Sequence, residues 1–194
     1  VDDYPTRLLQ TLMSLAPKKC DSSVPTVVLL TPGHLNSAYY EHTFLSDEMG
    51  IEMVEAQDLF VENDFLYMKT VDGPKKIDVV YRRIDDDYLD PLAYNPNSVI
   101  GVPGITHVYK TGGVNICSAP GAGIADDKAV YIYVPEMIKF YLGETPILDN
   151  VQTWRCERDD DLKYVLENID ELVIKEVDGS GGHGMLIGPK STKQ

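Results

Sequence analysis

The 194 residues contain no C-x-x-C pair, no basic stripe and no long apolar run. Each absence excludes something. The three cysteines, Cys20, Cys117 and Cys156, are too dispersed to suggest a zinc site. An odd, scattered set of thiols fits a reduced, cytoplasmic setting. Lysine and arginine number 17 against 31 aspartates and glutamates, for a net charge of −14. Without a cationic stripe, neither a nucleic-acid backbone nor an anionic membrane surface is an expected partner. No run approaches the roughly 18 apolar residues that cross a bilayer. A phosphate-binding site in such a chain has to draw on local lysines, arginines and backbone amides.

What is present is an alternation of strands and helices. Leu8, Leu9, Leu12, Met13 and Leu15 recur at helical spacing behind Pro5, predicting a short amphipathic helix. "TVVLLTPG" is a continuous β-branched and aliphatic run that ends in Pro-Gly, as a buried strand does. "NSAYYEHTFLSDEMG" predicts a helix with Asn36 or Ser37 as N-cap and Gly50 as its stop. "IEMVEA", "DVVYRRI" and "VNICSAPG" read as further strands, and residues 59–77 as an antiparallel hairpin insertion turning at Asn63-Asp64 and Asp72-Gly73. Next come a helix interrupted at Pro135, a short strand in "VQTWRCE", a helix in "RDDDLKYVLENID" and a strand in "LVIKEV". The first part reads as a small doubly wound α/β unit, and an α+β unit begins near residue 126.

Four stretches carry residues suited to chemistry. "VDGSGGHGMLIGP" matches G-x-G-x-x-G, but "MLIG" and Pro189 predict a strand after the glycines, where a dinucleotide-binding turn needs a helix. No lysine follows the glycines, so a Walker A loop is excluded as well. A strand–glycine loop–strand hairpin remains, whose amides can fold over phosphates. Lys175 lies in the incoming strand among Val173, Ile174 and Val177; the bland alternative is a surface turn with a solvated lysine. "YRRIDDDYLDP" sits at the carboxyl end of a predicted strand, where open α/β sheets place ligands. Arg82 and Arg83 alternate, so only one can face a cleft; a charged loop with internal salt bridges explains the stretch equally well. In "TPGHLNSAYYEH", Asn36 and Ser37 could receive a carboxylate, or simply cap the helix. His34, Glu41 and His42 make a poor metal set, because adjacent helical residues diverge. In "GAGIADDKAV", Asp126 or Asp127 caps a helix and Lys128 stands near its start, where the macrodipole disfavours a cation. That placement hints at an anionic partner; an exposed lysine is the alternative.

The order of these motifs resembles a known family. "ADDKAVYIYVPEMIKFYLGE", then "VIK" and the glycine hairpin, is similar to the nucleotide-binding half of ATP-grasp enzymes. With "TPGHLNSAYYEHTFLSDEMGIEMVEAQDL", "VVYRRIDDDYLDPL" and "GVPGI", nearly the whole chain resembles the circularly permuted ATP-grasp family related to glutathionylspermidine synthase. The resemblance implies ATP-dependent joining of a small carboxylate to an amine through an acyl phosphate. It implies that Lys128 and Lys175 are phosphate lysines and that Gly179, Ser180, Gly181, Gly182 and Gly184 cover the phosphates. It implies that Arg83 and Asp85 act near the reacting carboxylate, with Arg82 as the alternative arginine. Asn36, Ser37 and Glu41 fall on the substrate side. Magnesium is implied too, with ligands outside this chain, since the family's acidic segment has no counterpart here.

The resemblance also implies an organisation. Residues 1–25 form a helix and linker, 26–125 a pre-ATP-grasp-like α/β domain, and 126–194 a partial nucleotide-binding subdomain. The expectation is a central fragment, inactive as a ligase by itself. Two other readings stay open at this level: a non-catalytic α/β module that binds a ligand or partner, and a phosphotransferase. Neither the acid, the amine nor the oligomeric state is legible.

Overall fold

A computed structural model describes residues 3–179, 181–182 and 184–191. The chain divides into two compact units, residues 1–121 and 122–194. The first contains α1 (Tyr4–Ser14), β1 (Val27–Leu30), α2 (Tyr39–Met49), β2 (Glu52–Val54), β3 (Leu59–Glu62), β4 (Phe65–Thr70), β5 (Gly73–Ile77), β6 (Val79–Arg82), α3 (Asp86–Leu89), α4 (Ile105–Thr111) and β7 (Asn115–Cys117). β1, β2, β6 and β7 form a parallel sheet in the order β2-β1-β6-β7.

Period-two alternation in β1 explains the two layers around this sheet. All four of its residues are buried. Val27 and Leu29 face Leu12 of α1, Leu45 and Met49 of α2, and Val79. Val28 and Leu30 face the opposite way, into a cluster with Leu66, Met68, Ile77, Val80, Ile105 and Ile116. Each such side chain contributes about 1.5–3 kcal/mol when fully buried. The predicted hairpin is a three-stranded meander, β3-β4-β5, and it is part of the core rather than an appendage. Its turn at Asn63 and Asp64 has positive φ at both residues, 48° and 63°, as a tight two-residue hairpin turn requires.

Helix α2 starts later than its sequence suggests. Ala38 is the N-cap, and neither Asn36 nor Ser37 fills that place. Asn36 instead accepts the Ala38 N–H on Oδ1 at 2.9 Å, a side-chain turn that leads into the helix. Gly50 closes the helix in the left-handed conformation, as expected.

The second unit holds α5 (Lys128–Tyr131), α6 (Val134–Leu142), α7 (Asp159–Glu167), β8 (Val173–Ile174) and β9 (Leu186–Ile187). Pro135 lies in the first turn of α6, so the predicted interruption falls just before it. No strand forms in "VQTWRCE". The backbone N–H of Arg155 donates to the Asp161 carboxylate at 3.0 Å, and Trp154 stacks on Tyr164. This stretch is therefore tied to α7 rather than to a sheet neighbour. β8 and β9 pair antiparallel around the glycine loop. Gly188 sits directly against the Ile169 carbonyl, where a Cβ would come within 1.7 Å of the oxygen.

Candidate functional site

In the first unit, β1 connects outward to β2, while β6 connects outward to β7 on the other side. The sheet order thus reverses between β1 and β6, and open α/β sheets bind ligands beyond the carboxyl ends of the strands at such a point. Two segments meet that description: Thr31–Ala38 after β1, and Arg83–Asp86 after β6. A cleft of about 50 Å³ at the ends of β1 and β2 is lined by Thr31, Pro32, Glu55, Ala56, Gln57, Val99 and Ile100. A larger cavity of about 350 Å³ lies at the other end of the sheet, beside Lys18, Tyr109 and Asn115. The ligand rule for α/β sheets favours the smaller cleft.

The two arginines have different tasks. Arg82 donates from Nε to Ser118 O at 2.6 Å, from Nη1 to Ile84 O at 2.7 Å and from Nη2 to Ala119 O at 3.2 Å. Its Nη2 also lies 2.5 Å from Asp86 Oδ1, and the side chain is only 9% exposed. Asp86 in turn accepts the Gly121 N–H at 3.0 Å. Arg82 therefore staples the loops after β6 and β7, which leaves it little capacity for a ligand. Arg83 is more open, at 28% exposure, and meets Glu41 of α2 at 2.5 Å. A long contact of 3.4 Å joins its Nη1 to the Tyr81 hydroxyl. Asp85 and Ser37 are exposed, and no side-chain hydrogen bond is found for either among the described residues.

Two buried polar groups behind this edge were not legible as functional. His42 is 1% exposed, and its Nδ1 lies 2.9 Å from the Thr31 hydroxyl. Gly33 N–H donates to the same oxygen at 3.2 Å. The Thr31–His42 pair holds the start of the loop after β1. Burial first, then the Arg83 charge, pushes the His42 pKa below 6.5, with Glu41 opposing. A native pKa below the unfolded one means stability is complete above 6.5 and declines as pH falls towards the lower native value. Urea unfolding at stepped pH should show this decline, and His42→Gln should remove it. An unchanged slope in the variant would contradict the assignment.

In the second unit, Asp127 is the N-cap of α5, accepting the Ala129 and Val130 N–H groups on Oδ1. The neighbouring Lys128 reaches carbonyls of the glycine loop. Its Nζ donates to Gly179 O at 2.5 Å and to Val177 O at 3.3 Å, and its own N–H donates to Val177 O at 3.2 Å. Lys175 is exposed and lies one residue beyond β8, not within the strand. Gly181, Gly182 and Gly184 all have positive φ, of 62°, 81° and 64°. Glycine is the residue that takes such positive φ values without strain. Ser180 lies outside the described residues. Among the described residues no cluster of three carboxylates, histidines or cysteines could hold a metal. No described helix is long and apolar enough to cross a membrane.

A four-stranded parallel sheet, followed by a glycine hairpin anchored by Lys128, defines a mixed α/β class. All 194 residues match the family described as a circularly permuted ATP-grasp, and the chain belongs to that family. An uncharacterized protein of Synechocystis sp. is 52% identical over 194 residues, which are 100% of this chain and 40% of that protein. An uncharacterized protein of Mycobacterium tuberculosis is 50% identical over 193 residues, 100% of this chain and 35% of its own length. A Frankia alni protein named "Putative glutamate--cysteine ligase 2-3" is 42% identical over 185 residues, 95% of this chain and 21% of that protein. The chain thus spans two fifths or less of the length of these relatives.

Proposed function

We propose that this chain is the central part of an ATP-dependent carboxylate–amine ligase related to glutathionylspermidine synthase. In this reading residues 26–125 form the pre-ATP-grasp-like domain and 126–194 part of the nucleotide-binding subdomain. The observation that carries it is the bond from Lys128 to Gly179 O. Lys128 thus meets the glycine loop 51 residues further along, which supports reading the two as parts of one phosphate site.

The described residues suit a triphosphate. Lys175 is free of the strand, and the positive-φ glycines present amides, so this unit would hold the phosphates and neutralise charge as it moves to the γ-phosphoryl group. Magnesium supplies further charge neutralisation in such reactions and would be held by residues beyond those described. On the substrate side, Arg83, Asp85, Asn36, Ser37 and Glu41 line the carboxyl edge of the sheet, with Arg82 as their structural support. The carboxylate oxygen attacks the γ-phosphorus and ADP leaves. The amine then attacks the acyl carbon, phosphate leaves, and the amine loses a proton. Catalysis rests on positioning and on preorganised charge.

Oxygen-18 in the substrate carboxylate tests this in the complete natural protein. One labelled oxygen should appear in the released phosphate, and only when the amine is present should amide accumulate. A phosphorylated product that persists beside the amine would favour a phosphotransferase. No ATP turnover at all would favour a binding module. The 194 residues alone should show no ligase activity and only weak Mg-ATP binding by isothermal titration, because the family resemblance puts the magnesium ligands outside this chain. Tight binding by the isolated chain would overturn that part.

A further inference from the structure

The Arg83–Glu41 pair sits where the ligand rule for α/β sheets places a substrate, yet it is incompletely used. Arg83 spends Nη2 on Glu41 and makes one long contact from Nη1. Its fork carries five N–H donors, so most of them have no close partner among the described residues. Glu41 is 53% exposed and, among the described residues, accepts on Oε1 alone. Such a half-exposed ion pair adds little to stability, roughly 0–1 kcal/mol for comparable pairs. The core does not explain it either, since neither residue belongs to either apolar cluster. Buried behind it, the Thr31–His42 bond and the Arg82 staple fix both elements from which the pair projects.

A cation with spare donors next to an anion with a spare acceptor matches a zwitterion. We infer that Arg83 and Glu41 together form the recognition site for an α-amino acid, whose carboxylate docks on Arg83 and whose ammonium docks on Glu41. Both contacts are charge-assisted hydrogen bonds, the stronger kind. Glu41 is then a specificity-determining residue, rejecting simple acids that leave its oxygen unpaired. The inference rests on the ligase reading for its place in a reaction but not for its existence.

The test needs no nucleotide. The 194-residue chain is titrated with L-alanine, propionate and ethylamine, following the arginine side-chain N–H signals by NMR. L-Alanine should saturate at millimolar levels, shifting the Arg83 signal, with propionate and ethylamine about tenfold weaker for each lost charge-assisted bond. Glu41→Gln should bring L-alanine to the propionate level, and Arg83→Met to the ethylamine level. Both positions lie outside the core, so backbone spectra should report an intact fold. Three outcomes overturn the inference: propionate binding as tightly as L-alanine, Glu41→Gln binding either ligand more tightly, or an Arg83 signal that does not respond. Amino-acid selectivity without ATP turnover in the complete protein would sink the ligase reading and leave this site standing. ATP-dependent ligation with an unresponsive Arg83 would do the reverse.

Discussion

Asp90→Ala should destabilise the first unit by about 3 kcal/mol, because it takes the acceptor from one buried and two part-buried N–H groups, at about 1–3 kcal/mol for each donor left without its carboxylate. Asp90 is 1% exposed. Its Oδ1 accepts the N–H of Leu92 at 2.9 Å and of Gly104 at 3.0 Å, and its Oδ2 accepts the N–H of Thr106 at 3.0 Å. One carboxylate therefore ties the end of α3 to the start of α4. Burial by itself would raise the Asp90 pKa, but the Gly104, Thr106 and Leu92 N–H groups outweigh it and hold the carboxyl below 3.8. The sign follows: this stabilisation is complete above 3.8 and is lost as pH falls through the lower native value. Thermal unfolding by circular dichroism at neutral pH should drop by about 10 °C. The variant should also lose the corresponding acid-dependent part of the stability curve. A variant within about 1 kcal/mol of the parent would mean that water replaces the carboxylate at all three donors.

Lys175→Ala in the complete protein should lower the rate of ATP-dependent ligation by about 10²–10³-fold, the usual cost of removing one preorganised charge from a transition state. Fold is not at stake, because Lys175 is exposed and makes no side-chain hydrogen bond among the described residues. The loss should fall mainly on kcat, since charge grows on the transferring phosphoryl group as the reaction proceeds. Lys163→Ala, on the exposed surface of α7, serves as the control and should leave the rate unchanged. Equal small losses in both variants would remove Lys175 from the phosphate site. Lys128→Met should behave differently: its Nζ holds carbonyls of the glycine loop, so a loosened hairpin should accompany any loss of rate.

Much of the fold was legible because it follows from local patterns. The β-branched run of β1, the left-handed stop at Gly50 and the tight turn at Asn63-Asp64 each express a preference of a few neighbouring residues. The failures have one cause in common. "VQTWRCE" has strand-like composition, but a strand needs a partner, and Arg155 and Trp154 find theirs on α7. Lys175 looked like a strand residue because the valines around it are apolar, yet Val173 and Val177 are 51% and 48% exposed. The site was half legible. Its residue types stood out, and the preference of open sheets for ligands at strand ends located them. Asp90 and the Thr31–His42 pair did not stand out, since a buried carboxylate or histidine looks like any surface one until its donors are known.

By itself the sequence determined an α/β start with parallel strands, a glycine hairpin between two strands, and a resemblance whose coarser part, the circularly permuted ATP-grasp family, the whole-chain match upholds. It could state that Arg82 and Arg83 alternate across the strand, but not which of them the fold would tie down. Tertiary structure decided that. The backbone carbonyls that claim Arg82 belong to Ser118 and Ala119, at the end of a different strand. Only once β6 and β7 lie side by side does one guanidinium become a staple and the other remain open to a ligand.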